Sequence, residues 1–238
     1  MPGFSLARAF KSRLARNACL LTLAGVTSLV AGTADAAREP VSFKLSIRGT
    51  AHAEWDHTGA PVPSGDCMRT IRSEGIRDVR FRTAKPTVVR VVDGRVLAAT
   101  VRRLAGTVTL AGANTVTDIC GAENRQAIQD CATTKRAFKT GILSAVGRRA
   151  GSLTFGRIRN TRLSTSNCPR EPAEVVSRPL GPVPGPLRIS TSALANTRIA
   201  RITLSASASQ TVTYGPEAAG TLKHRSAWKV TLQRVRVP

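Results

Sequence analysis

Apolar and polar residues alternate with a period of two along most of the chain, and no long stretch repeats with helical spacing. From Val41 to His57 the odd positions read Phe43, Leu45, Ile47, Gly49, Ala51, Ala53, Trp55 and His57. The even positions read Ser42, Lys44, Ser46, Arg48, Thr50, His52, Glu54 and Asp56. Successive side chains on a strand point to opposite faces. The run therefore predicts one long strand bent at Gly49, or two in succession, apolar on one face and wet on the other.

The stretch TGAPVPSGDC (58–67) predicts a loop, followed by a short strand carrying Val79 and Phe81. Asp93-Gly94, set between the β-branched runs 87–92 and 95–97, predicts a hairpin with a primed turn, because both central residues accept positive φ. Gly106–Leu110 and Thr115–Thr117 continue the alternation to Cys120, and GAENRQAIQD (121–130) predicts a polar loop. Phe138–Val146 and Ser152–Ile158 predict a second hairpin around Gly147–Gly151.

Residues 169–186 hold six prolines and predict a connection running across the outside of the molecule. After it come a short strand at Leu187–Ser190, a strand through Ile202, Leu204, Ala206 and Ala208, and a last strand burying Trp228, Val230 and Leu232. The parity then moves to Val235 and Val237, which predicts a bulge near Gln233-Arg234. Three strands bury too little to stand alone, so this tail is expected to complete the first sheet. The predicted fold class is all-β, a two-layer antiparallel β-sandwich of about eight to ten strands.

The first 36 residues read as an address. Arg8, Lys11, Arg13 and Arg16 form a basic start, residues 18–32 a short apolar core, and Ala34-Asp35-Ala36 a small-x-small cleavage signature between Ala36 and Ala37. An apolar run of 15 residues falls short of a membrane span, and no later stretch reaches one. Cys19 lies at the start of that run, the wrong end for a lipid anchor. The mature chain would be a single domain, 37–238, secreted or associated with the cell envelope.

Loss of Cys19 leaves Cys67, Cys120, Cys131 and Cys168, an even number that reads as two disulfides in an exported chain. Of the three pairings, Cys120–Cys131 and Cys67–Cys168 are favoured, the first closing the polar loop and the second joining two distant ones. The cysteines lack the CxxC spacing that zinc sites use.

The whole chain carries 36 Lys+Arg against 14 Asp+Glu; without the leader's four basic residues and Asp35 these become 32 and 13, a net charge of +19. A field of that sign holds anionic polymers by releasing their counterions. The arginines are scattered along the chain, which argues against a specific nucleic-acid site.

One stretch concentrates possible chemistry. In AHAEWDH (51–57), His52, Glu54 and Asp56 share a face, at the alternate spacing that lets strand residues converge on a metal or hold an acid–base carboxylate pair, Glu54 and Asp56. His57 faces the other way. The competing reading makes the three the wet face of a strand, balanced by cations on its neighbours, and this is preferred. His224, flanked by Lys223 and Arg225, reads as a loop histidine before the last strand. No nucleophile elbow, HExxH, P-loop or dinucleotide fingerprint occurs, and no cofactor is implied. Nearly all aromatics of the mature chain have inward parity; Tyr214, before Gly215-Pro216, is the best candidate for an exposed ring, with capping of a strand end as its other reading.

The chain resembles uncharacterised secreted β-rich proteins of GC-rich Gram-positive bacteria. The shared features are the leader, Gly49-Thr50 followed by Trp55, Cys67 in a glycine-rich loop, Asp130-Cys131, Asn167-Cys168-Pro169 and the ending Trp228–Arg234. The resemblance implies export and a β-sandwich, and brings no activity with it. The expected function is that of an exported, non-catalytic binding or structural module with non-specific affinity for anionic envelope polymers. The alternative is a metal-dependent hydrolase using His52, Glu54 and Asp56.

Overall fold

The computed structural model describes residues 40–139, 143–156, 158, 166–215 and 218–235, all within one compact unit, Arg38–Pro238. The expected leader, its cleavage point at Ala36/Ala37 and Val237 lie outside the described residues.

The fold is all-β and antiparallel. In chain order the first strands are β1 (Val41–Thr58), β2 (Val62–Ser64), β3 (Cys67–Thr83), β4 (Thr87–Val92), β5 (Arg95–Val96) and β6 (Ala99–Val101). Then come β7 (Leu104–Cys120), β8 (Glu123–Lys139), β9 (Leu143–Val146) and β10 (Ser152–Phe155). Helix α1 (Ala173–Ser177), β11 (Leu187–Arg188), α2 (Thr191–Ala195), β12 (Arg201–Thr213) and β13 (Gly220–Arg234) complete the order. The large sheet runs β12-β13-β1-β3-β7-β8, with β2, β4 and β5 attached at its sides, and the small one runs β11-β10-β9-β6.

The alternation of β1 is obeyed. Phe43, Leu45, Ile47, Ala51, Ala53 and Trp55 are buried, and Lys44, Arg48, Thr50 and Glu54 are exposed. One core joins Phe43, Leu45 and Ile47 to Leu143, Leu153 and Phe155 of the small sheet and to Trp228, Val230 and Leu232 of β13. Each such side chain stabilises the fold by about 1.5–3 kcal/mol on burial. Two glycines on this face make room for rings. Gly49 lies opposite Phe81 and Gly75 opposite Trp55, and a Cβ at either would run into the facing ring. As expected, β13 and β12 extend the sheet beyond β1, and Asp93 (φ 49°) and Gly94 (φ 69°) make the β4–β5 turn.

Several expectations are corrected. The loop of 58–67 contains β2, which pairs with the start of β3, so β3 begins at Cys67 and is 17 residues long. The polar loop 121–130 lies mostly in β8, another 17-residue strand, reached from β7 through a turn at Gly121 (φ 61°). No bulge breaks the β1–β13 register near Arg234; the irregularity falls between β7 and β8 at Leu110/Gly112.

The disulfides are Cys67–Cys120 and Cys131–Cys168, not Cys120–Cys131 and Cys67–Cys168. Register explains the difference. Met68 pairs with Ile119, which brings Cys67 against Cys120 with Cα atoms 4.3 Å apart. Cys131 pairs across from Gly112, eight residues along β7 from Cys120, about 27 Å at strand rise.

The proline-rich segment crosses the inner face of the large sheet and not the outside. Val175 and Leu180 are fully buried in it, and the Ser226 hydroxyl donates to the Pro182 carbonyl at 2.5 Å. Asn114 of β7 pins its start, donating to the Asn167 carbonyl and accepting from the Arg170 amide. Prolines suit this position because they have no backbone N–H to leave unpaired against an apolar face.

Candidate anion-binding face

The side of the large sheet turned away from the core is concave. Residues from β12, β13, β1, β3, β7 and β8 border one trough of about 950 Å³. A second hollow of about 600 Å³ continues it toward Arg48 and Lys229, sharing Thr50, Arg80, Ser207 and Ala227.

Register arranges the outward side chains in transverse rows, which gives the face a polarity. In one row Ser205, Lys229, Arg48, Arg82, Ala105 and Lys139 stand side by side across the six strands. Two residues further along β1 come Ser207, Ala227, Thr50, Arg80 and Thr107, and then Ser209, Arg225, His52, Asp78, Thr109 and Lys135. Beyond these the sign reverses, with Glu54 and then Asp56, Glu74 and Asp130.

His52, Glu54 and Asp56 all point outward, as expected, but each is engaged separately. His52 Nδ1 lies 2.8 Å from the Asp78 carboxylate. Asp56 accepts two hydrogen bonds from the Arg72 guanidinium, at 2.8 and 2.7 Å, and these hold its carboxyl below the usual carboxylate range. Glu54 sits opposite Lys223. Half-exposed pairs like Arg72–Asp56 contribute about 0–1 kcal/mol. Among the described residues no three His, Cys, Asp or Glu side chains are grouped as metal ligands.

The cations of the basic end are different. Among the described residues Arg48, Arg80, Arg82, Lys135, Lys139, Arg225 and Lys229 make no ion pair. Arg48, Arg80, Arg82 and Arg225 are exposed. The group is not legible in the sequence because its members come from four separate strands. The even positions of β1 offered Arg48, but only the register brings Arg82 and Lys229 to its sides.

The opposite face holds a buried polar group under α1. Arg77 pairs with Glu171 at 2.8 Å. His224 is not a loop residue but lies within β13, 4 % exposed, with Nδ1 unpartnered. Desolvation pulls its pKa down to about 4, and the Arg77, Arg178 and His52 charges push the same way. Tyr214 is half-buried, its ring edge-on to His57 with centroids 4.3 Å apart, and its hydroxyl donates to Glu174 at 2.9 Å. It closes the end of β12 and offers no open stacking platform. With the geometry in hand, the chain matches no family model, no curated protein and no solved structure.

Proposed function

We propose that the protein is an exported, non-catalytic binding module that holds anionic polymers of the cell envelope on the outward face of its large sheet. The observation that carries this reading is the row of cations without carboxylate partners on a concave surface, in a chain whose net charge is +22 with its leader. Counterion release from a polyanion supplies the affinity and makes it salt-dependent. Two disulfides, the chemistry of an oxidising compartment, support an extracytoplasmic location. Among the described residues no Phe, Tyr or Trp ring is exposed on this face, which argues against a single-stranded nucleic acid as ligand, because base stacking needs one. The test is retention of the purified mature chain on isolated cell wall and on immobilised polyanions. Retention that falls steeply between low and physiological salt is expected; passage straight through at low salt would end the proposal.

A further inference from the structure

The row Lys229, Arg48 and Arg82 sets three like charges side by side with no opposite charge among them. At the other end of the outward surface opposite charges offset one another: His52 lies beside Asp78, Glu54 beside Lys223, and the like-charged neighbours Asp56 and Glu74 share the Arg72 guanidinium at 2.7 and 3.9 Å. Here three like charges face one another directly on β13, β1 and β3, which are about 4.8 Å apart, and like charges so placed destabilise a sheet. A local violation of this kind belongs to a site that something else completes.

We infer that this row, with Arg80 beside it, is a binding site for a phosphodiester polymer that carries no bases, such as a polyol-phosphate chain lying across the strands. The inference rests on the proposed function above and names its ligand. A phosphodiester presents two free oxygens that diverge in tetrahedral array, so one group can bridge two adjacent cations, and successive groups along the polymer repeat the charge that the row calls for. The hydroxyls of Ser205, Ser207 and Thr50 border the row and can bond the polyol or the remaining phosphate oxygens. Among the described residues no Phe, Tyr or Trp ring is exposed on this surface, and the His52 imidazole is engaged by Asp78, which suits a backbone without bases.

The experiment titrates the mature chain with poly(glycerol phosphate), polygalacturonate and oligothymidylate at several salt concentrations. It compares wild type, the double variant Arg48→Gln/Arg82→Gln, and a control double variant Arg95→Gln/Arg188→Gln, which loses the same charge from exposed positions off this row. Affinity for poly(glycerol phosphate) should be the highest of the three and should fall at least about tenfold in the row variant, and less than about threefold in the control. The urea midpoint of the row variant should equal or exceed that of wild type, because a repulsion has been relieved; Lys229→Gln alone should move both quantities the same way by less. Equal losses in both double variants would overturn the site and the placing of binding on this face, while leaving salt-dependent polyanion binding itself standing. Tighter binding of polygalacturonate or oligothymidylate would overturn the ligand class. No salt-sensitive binding to any of them would take the parent reading down as well.

Discussion

Arg77 of β3 and Glu171 of the proline-rich segment form an ion pair at 2.8 Å with both side chains only 4 % exposed. The same guanidinium reaches toward the Val175 carbonyl, and Glu171 also accepts from the Ser166 amide, so one pair fastens the segment to the inner face of the large sheet. Removing one partner strands a charge in a site where desolvation is expensive. Glu171→Gln should therefore lower unfolding free energy by about 3–5 kcal/mol, whereas the joint change Arg77→Met/Glu171→Leu should restore most of it. Urea denaturation of the three proteins checks this; a single substitution costing under about 1 kcal/mol would show that the pair is solvated in solution.

His224 gives the fold an acid-sensitive point. Its folded pKa, about 4, lies below the ordinary 6.5, first because it is buried and then because Arg77, Arg178 and His52 repel its proton. Between those two values the unfolded chain binds more protons than the folded one, so stability declines as pH falls from about 6.5 toward 4 and is complete above 6.5. The full effect is about 3 kcal/mol. Urea midpoints at pH 7.5 and 4.5 should differ clearly in wild type and less in His224→Leu, with Arg77 and Glu171 common to both. An identical pH response in the two proteins would remove His224 as the cause.

What the amino-acid pattern reveals depends on whether a strand has two different faces. β1 was readable from end to end because every odd residue through Trp55 packs inward and every even one meets water or a partner. β8 was not, because it is a sheet edge exposed on both sides until Phe138, so Glu123, Arg125 and Asp130 fall without alternation and read as a loop. That misreading led directly to the wrong disulfides, since a loop at 121–130 would bring Cys120 to Cys131 and a strand cannot. His224 was hidden by its neighbours. Lys223 and Arg225 look like a turn, yet they are the outward residues on either side of an inward one. The candidate site was half visible: Arg48 stands in the opening alternation, while its companions depend on pairings that a single sequence does not disclose.

The disulfide pairing itself is open to direct check. Proteolysis without reduction should give the linked peptides Cys67–Cys120 and Cys131–Cys168, and mass spectrometry should find neither alternative pair. The closed loops have sequence separations of 53 and 37 residues. Chain-entropy arguments then assign each bridge about 4 kcal/mol. Reduction of the folded protein should accordingly lower its thermal midpoint sharply, and a reduced protein as stable as the oxidised one would contradict the assignment.

The central claim is that one face of one sheet does the binding, and amide chemical shifts report on it residue by residue. A labelled mature chain titrated with short poly(glycerol phosphate) should shift Arg48, Thr50, Arg80, Arg82, Thr107, Arg225 and Lys229 together, with Val176, Arg188 and Asn196 on other elements unmoved. Small shifts spread evenly over every exposed arginine would contradict it, leaving a basic surface with no site.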